Sequence, residues 1–393
     1  MNFRDSPAEA AFRREVRNWF AANLPEGWKH RIAESGRGDE SVARQWSRKL
    51  FDAGYAGLTW PKEYGGAGAP YTYQAILLEE AARAETPEHI GLIGIGMAGP
   101  TIMAHGTAEQ KARYLPKILS GGDVWCQGFS EPGSGSDLAS LKTKAEVDGD
   151  DLVVSGQKVW SSFAHIADQC ILLVRTDSSA PKHDGLTFLI VDMRADGVEV
   201  RPLRQLTGDP EFNEIFFNEV RVPVTNVVGR INDGWRVAMT TLLHERGTLG
   251  VALTARLEVA VKKLVALAHD VKTNGRAAAE DPLVRDLVTR QWIEFQALKL
   301  TNYRALTRLM KTGMPGPEGS IAKLFWSESN QRLTKLAVEI LGPRAQLDGK
   351  DGVWNGFWQH AQLRSRGNTI EAGTSEVLRN IVAERVLGLP RSR

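Results

Sequence analysis

The chain has 393 residues, 42% hydrophobic and 24% charged, so two or three packed domains, or one large multilayered unit, are expected rather than a single small core. Lysine and arginine total 49 against 47 aspartates and glutamates. Neither sign gathers into long blocks, which removes the electrostatic case for nucleic acid or an acidic membrane surface as partner.

The opening stretch "MNFRDSPAEAAFRREVRNWF" has no apolar core segment and no cleavage site. It reads as mature protein, with the cytoplasm as the expected location. Residues 1–122 read as a helical domain. Ser6 followed by Pro7 is an N-cap with proline at the first helical position, and Phe12, Val16 and Phe20 then share one face. Ser41 opens a second helix that stops at Gly54, "YTYQAILLEEAARAE" gives a third, and Thr107 with Gln110 forms a capping box for a fourth. "HIGLIGIGMAGPTIMAHG" is the most apolar segment, but Gly, Pro and His interrupt it below spanning length. A buried helix with a tight turn is expected there, and no membrane span.

At Asp123 the period changes. Residues 123–232 read as a compact antiparallel β domain of roughly six to eight strands. Asp148-Gly149 marks a hairpin, Ser155-Gly156 the next turn, and "CILLVRTD", "LTFLIVDM", "VEVRPL" and "EIFFNEVRVP" continue the strands. The two cysteines, Cys126 and Cys170, fall here without a metal-ligand partner and read as buried thiols in a reducing compartment. Residues 233–393 return to a helical period in longer elements that suit a four-helix bundle, ending in "SEVLRNIVAERVLG". The fold class is therefore α+β and mostly helical.

Three runs carry candidate chemistry. "WCQGFSEPGSGSDLASLKTKAE" delivers Ser130 to a loop with Gly133 and Gly135, where Ser134, Ser136 and Asp137 expose hydroxyls and backbone N–H groups. Such a loop fits a cofactor edge or a phosphate-bearing ligand, or is an ordinary Gly/Ser turn. It is neither a dinucleotide-binding GxGxxG nor a P-loop. "GQKVWSSFAHIADQ" sets Trp160 at the end of a strand, as a platform for a flat ring or as core. "LLHERGTLGVAL" puts His244, Glu245 and Arg246 inside an apolar helix, followed by Gly247 and Gly250. Charges there are paired structurally or are used. The two glycines leave room for a wide ligand or allow close helix packing.

Together "EPGSGSD", "GQKVW" with Ser-Ser, "FNEIFFNEVRVP", "LTWPKEYGGAG", "AVEILG" and "GTSEVLRNIVAERVLGLP" resemble the acyl-CoA dehydrogenases, in order and over nearly the whole chain. The resemblance implies FAD held between the β domain and the bundle, with a neighbouring subunit completing the site. It places Phe129 and Ser130 along the flavin edge with Gln127 as a further cofactor contact. Trp160 would pack on the ring with the Ser162 hydroxyl near it, and Thr374 and Glu376 would touch FAD. Ser136 matches a contact to the CoA arm, Arg246 a substrate contact, and a backbone N–H near Ala372 a donor to the thioester oxygen.

In many members the base is a glutamate directly before Gly-Thr, and that place is Ala372 here. Glu371 stands one residue early, enough to re-aim its side chain. A second group, including isovaleryl-CoA and long-chain enzymes, carries the base on the first bundle helix just before the substrate-binding arginine. That place is Glu245, which is assigned as the catalytic base, with Glu371 at the pocket or its entrance. The implied reaction is α,β-dehydrogenation of an acyl-CoA to the trans-2-enoyl-CoA. The implied partners are acyl-CoA and an electron-transfer flavoprotein, in a homo-oligomer, tetramer or dimer, with a heteromer of two chains as alternative.

The chain departs from the pattern in two places. "DVKTNGRAAAEDP" offers only Lys272 or Arg276 where relatives use an arginine on the FAD diphosphate, and "EILGPRAQL" has Glu339 and Pro343 where glutamine and glycine are common. The rival readings are a flavin monooxygenase or oxidase on the same fold and a non-catalytic partner subunit.

Overall fold

The computed structural model describes residues 4–28, 40–247, 249–313 and 316–391. They divide into two compact units that each use discontinuous chain. One comprises Met1–Gly38, Ala69–Pro87 and Arg246–Arg393, the other Asp39–Gly68 and Glu88–Glu245.

The first unit is helical. Helix α1 (Pro7–Asn23) starts at Ser6, whose hydroxyl accepts from the Glu9 N–H at 3.3 Å while the Glu9 carboxylate accepts from the Ser6 N–H at 2.8 Å. This reciprocal pair satisfies two N–H groups that a helix start otherwise leaves open. Phe12, Val16 and Phe20 are buried as the spacing requires.

Four further helices follow: α7 (Leu249–Asp270), α8 (Pro282–Thr312), α9 (Glu318–Leu341) and α10 (Phe357–Asn368). They enclose Leu257, Val261, Phe295, Leu298, Leu333 and Trp358. The fourth bundle member is thus α10 and not the final "SEVLRNIVAERVLG". The latter forms only a seven-residue helix α11 (Ser375–Ile381) and a π turn Val382–Val386. Helix α10 buries only Trp358, Ser365 and Asn368, so its apolar period is weak in sequence.

A charge cluster ties α1 and α3 (Tyr71–Ala84) to α7. Arg13 donates to Asp5, to Glu79 at 2.7 Å and to Glu80 at 3.0 Å. Arg17 and Arg83 also donate to Glu80, and Arg83 reaches Glu258 on α7 at 3.1 Å. The Glu80 side chain is 3% exposed. Burial alone would raise its carboxyl, but the hydrogen bonds from Arg17 and Arg13 and the charge of Arg83 hold it down at about 2.

The second unit combines α2 (Glu40–Asp52), a π-helical turn (Gly94–Ala98), α4 (Gly99–His105), α5 (Ala108–Ser120) and, as far as Glu245, α6 (Gly234–Gly247) with a seven-stranded sheet. The strands are β1 (Trp125–Gly128), β2 (Lys144–Asp148), β3 (Asp151–Ser162), β4 (Gln169–Arg175), β5 (Leu186–Asp192), β6 (Val198–Leu203) and β7 (Phe212–Pro223). Their order is β1-β4-β2-β3-β7-β6, with β5 also paired to β4. The hairpin at Asp148-Gly149 forms with Gly149 at φ 63°.

Two sequence expectations need correction. Ser155-Gly156 is not a turn, because β3 runs on to Ser162 and Gly156 marks a register shift within it. A Cβ there would stand 2.7 Å from the Thr143 Cα, so the glycine serves close strand approach. The sheet is also not wholly antiparallel, since β1 runs parallel to β4 with Cys126 opposite Cys170. Both cysteines are buried and free, as the sequence implied, and burial pushes the Cys126 thiol up.

The apolar segment at 89–106 folds into the π turn and α4. Its Gly99 meets the Trp60 ring, which a Cβ would approach to 2.2 Å. Among the described residues no helix is long and apolar enough to cross a membrane.

Glu80→Gln should destabilise the protein by about 3 kcal/mol at neutral pH, because it leaves several guanidinium groups short of their anion. The folded carboxyl titrates near 2 against an ordinary 4.5, so its stabilisation holds above pH 4.5 and disappears as pH falls toward 2. Urea midpoints of wild type and variant should therefore differ most at neutral pH and converge in acid. A difference that is constant with pH would contradict this.

Candidate active site

Strand β1 ends at Gly128, where a Cβ would press to 2.7 Å from Leu172. Phe129 is buried edge-on against Phe188 at 5.9 Å, and Gln127 and Ser130 are half-buried. Glu131 and Ser134 then exchange backbone hydrogen bonds at 2.9 and 3.0 Å, closing a tight turn.

The Ser134 hydroxyl is not offered outward as the sequence suggested. Ser134 is 3% exposed and donates to the Asp137 carbonyl at 2.7 Å, bracing the loop. Ser136 is exposed, and Asp137 pairs with Lys182 at 2.9 Å. A Cβ at Gly133 or Gly135 would meet nothing within 4 Å, so the loop presents open backbone on its outer side.

Beneath this loop lies a feature the sequence reading missed. Lys158 has no exposed surface, and its ammonium donates to the Glu131 carboxylate at 2.9 Å and to the Phe129 carbonyl at 3.0 Å. The carboxylate also accepts the N–H groups of Lys142 and Thr143 at 2.7 and 2.8 Å. Burial pushes the lysine down to about 8 despite its partner. Burial would raise Glu131, but Lys158 and the two N–H groups more than offset this and hold it below its ordinary range. The available signal was a lysine within an apolar central strand, which requires a partner.

Two residues beyond Lys158, Trp160 leaves the sheet. Lys158 pairs with Ile215 and Ser161 with Asn213, so β3 carries one extra residue over that interval. Trp160 occupies this bulge with φ 62°, a conformation unfavourable for a side chain of its size. Its indole is 61% exposed and meets Phe212 edge-on at 6.1 Å. The core alternative for Trp160 is therefore excluded. The Val159 N–H donates to the Ser130 carbonyl at 2.9 Å, which brings Phe129 and Ser130 beside Trp160 and the half-buried Ser162. Of the expected cofactor contacts, these four and Gln127 lie in this unit.

The others lie in the first unit, on the turn after α10. Both oxygens of Glu371 are engaged: Arg364 donates to one at 2.9 Å and Asn368 to the other at 2.8 Å. Ala372 has φ 51° and Gly373 φ 96°. The buried Lys323 donates to the Gly373 carbonyl at 2.7 Å, a contact the sequence did not suggest. Thr374 caps α11, its hydroxyl accepting from the Val377 N–H at 3.2 Å. Glu376 is exposed, and hydrogen bonds from its own N–H and the Thr374 hydroxyl lower its carboxyl.

A cavity of about 520 Å³ opens beside this turn, lined by Arg332, Lys335, Arg366, Thr374, Ser375 and Glu376 among others. The Ser375 hydroxyl is buried and without a partner among the described residues. The cationic side chains and the unsatisfied hydroxyl at this turn fit the phosphates of a flavin dinucleotide, and the exposed Trp160 indole of the second unit by itself fits a flat ring. The side chains of His244, Glu245 and Arg246 lie outside the described residues, while their backbone is helical at the end of α6.

Comparison with known proteins gives the class. Models of the acyl-CoA dehydrogenase N-terminal, middle and C-terminal domains match residues 6–122, 126–220 and 232–387. The chain is 41% identical over 392 residues to the acyl-CoA dehydrogenase IpdE1 of Mycobacterium tuberculosis, covering 97% of each. Among solved structures it is similar to the Tcur3481-Tcur3483 steroid ACAD, with TM-score 0.88, 36% identity and 100% of both chains covered. The ChsE4-ChsE5 complex from Mycobacterium tuberculosis gives TM-score 0.87 and 34% identity, again over 100% of both.

The chain belongs to the acyl-CoA dehydrogenase family. It is a flavoprotein oxidoreductase acting on a CH–CH group, and the family's cofactor is FAD.

Removing one partner of the buried pair, by Lys158→Met or Glu131→Gln, should cost about 3–5 kcal/mol, because the other charge is left without compensation. The double variant should cost less than the two single costs added. Urea unfolding of all four proteins measures this, and strict additivity would show that the pair is not coupled.

Proposed function

We propose that the chain converts an acyl-CoA thioester to the trans-2-enoyl-CoA and passes the electrons to an electron-transfer flavoprotein. The observation that carries this reading is the exposed indole of Trp160, turned out of the sheet on a left-handed bulge beside Phe129 and Ser130. An aromatic residue so placed serves no core, and it suits the face of a flat ring.

In this reading Trp160, Phe129, Ser130, Ser162 and Gln127 hold the ring portion of FAD from the second unit. Thr374 and Glu376, in the first unit, are further FAD contacts. Bound FAD supplies the acceptor for the hydride that leaves the β carbon.

Glu245 removes the α proton and ends as the carboxylic acid, and loss of the proton and the β hydride leaves the α,β double bond. Negative charge that develops on the thioester oxygen is met by the backbone N–H near Ala372. Arg246 and Ser136 position the substrate and its CoA arm. The assignment of Glu245 over Glu371 is supported by the pairing of Glu371 with Arg364 and Asn368, which occupies both carboxylate oxygens.

A ring-bearing acyl group is supported by the similarity to a protein described as a steroid ACAD. Assembly with a different second chain is supported by the paired names of both solved relatives. The homo-oligomer is the alternative.

Glu245→Gln should slow anaerobic bleaching of the flavin band by acyl-CoA about a thousandfold, within the range for loss of a general base. Glu371→Gln should remain within about tenfold of wild type. The reverse pattern would transfer the role of base to the turn.

A further inference from the structure

We propose that Gly96, in the π-helical turn Gly94–Ala98, sets the width of the acyl chamber beside the base and fits it to a ring-bearing acyl thioester. The proposal rests on the assignment of Glu245.

Helices α4 and α6 pack through Thr101 and Thr241, whose buried hydroxyls are 2.8 Å apart. One turn further along α4, His105 meets the Thr240 hydroxyl at 2.8 Å and the Arg236 guanidinium at 3.3 Å. Residue numbers rise on one helix as they fall on the other, so the pair is antiparallel. One turn before Thr101 is Met97, inside the π turn, and one turn beyond Thr241 is Glu245. The backbone that carries Glu245 therefore lies level with the π turn.

The glycines around this turn divide sharply. A Cβ at Gly91 would stand 3.1 Å from His89, at Gly94 3.2 Å from Ile118 and at Gly99 2.2 Å from Trp60. Packing explains those three. A Cβ at Gly96 would meet nothing within 4 Å, and its φ is not positive. Neither packing nor backbone conformation requires glycine there, although glycine in a helix carries a standing entropic cost.

What Gly96 leaves is open space in an apolar setting, with Leu92 57% exposed one turn away. The π turn also inserts an extra residue and widens the coil at that level, a device common at functional sites. Gly250 provides the contrast. A Cβ there would stand 2.6 Å from the Asn302 side-chain oxygen, so that glycine serves helix packing and opens no chamber.

The test uses the FAD-loaded protein as it assembles, with butanoyl-CoA, octanoyl-CoA, cyclohexanecarbonyl-CoA and a propanoyl-CoA bearing fused steroid rings. Dissociation constants are read without turnover in the Glu245→Gln background from perturbation of the visible flavin band, and kcat/KM is read in the Glu245 background. Gly96→Val should lower the preference for ring-bearing over straight-chain thioesters at least about tenfold in both readouts, the scale of a few misplaced methylenes. Gly96→Ala should fall between and raise the Tm, and it secures the comparison if the valine variant folds poorly.

An unchanged preference in Gly96→Ala and Gly96→Val, or a wild type that binds no ring-bearing thioester better than octanoyl-CoA, would overturn the proposal. Failure of the base assignment is a separate result: Glu245→Gln would then bleach as fast as wild type, while the Gly96 comparison would still be read from kcat/KM.

Discussion

The ammonium of Lys158 lies in the interior of the sheet with no exposed surface, and much of the site's shape follows from the acceptors it needs. One is the Phe129 carbonyl, which fixes the backbone just past β1. The other is Glu131, whose two oxygens also anchor the N–H groups of Lys142 and Thr143 at the start of β2. One buried charge pair therefore fixes the exit of one strand, the entry of the next and the middle of a third. Such a pair gains little over an apolar contact of equal volume, but removing one member is costly. Its value here is geometric. With Lys158 held in register, the extra residue in β3 falls immediately beyond it, and Trp160 turns outward beside Ser130.

The first unit uses charge in the same way at its own turn. Lys323 is buried and donates to the Gly373 carbonyl, while Arg364 and Asn368 hold Glu371 from the preceding helix. Between these anchors Ala372 is kept in a left-handed conformation that costs a non-glycine residue of order 1 kcal/mol. A turn restrained from both sides fixes the direction of the Ala372 N–H. The oxyanion role proposed for that N–H needs such a fixed direction, because the contribution of a backbone donor depends on no reorganisation as charge appears.

Much of the fold could be read in the sequence because its signals are local. The capping boxes at Ser6 and Thr107, the hairpin at Gly149 and the change of period near Asp123 depend on neighbours only a few residues apart. Gly156 misled because a glycine after serine reads the same in a turn and in a bulge, and only the approach of Thr143 from the adjacent strand distinguishes them. Helix α10 was missed because it buries few apolar residues. At the candidate site, motif resemblance pointed to Phe129, Ser130 and Trp160, but the pairing of Glu131 with Lys158 spans 27 residues and exists only once β1 and β3 are side by side. The likeness to known enzymes assigned these residues roles; the physical supports beneath them became visible only in three dimensions.

The proposed position of the base follows from a conflict between two duties. A carboxylate that accepts a proton from carbon needs a lone pair free at the moment of transfer. A carboxylate that braces a strained turn needs its lone pairs engaged throughout. Glu371 performs the second duty, through Arg364 on one side and Asn368 on the other. In a chain whose turn residue before Gly-Thr is alanine, the proposed proton acceptor lies on another element, α6, which carries Glu245 at a level fixed by the Thr101–Thr241 contact. With the base on a helix, as proposed, the turn is free to be rigid. In the proposed arrangement the space around the reacting carbon is shaped by the neighbour of that helix, the π turn at Gly94–Ala98.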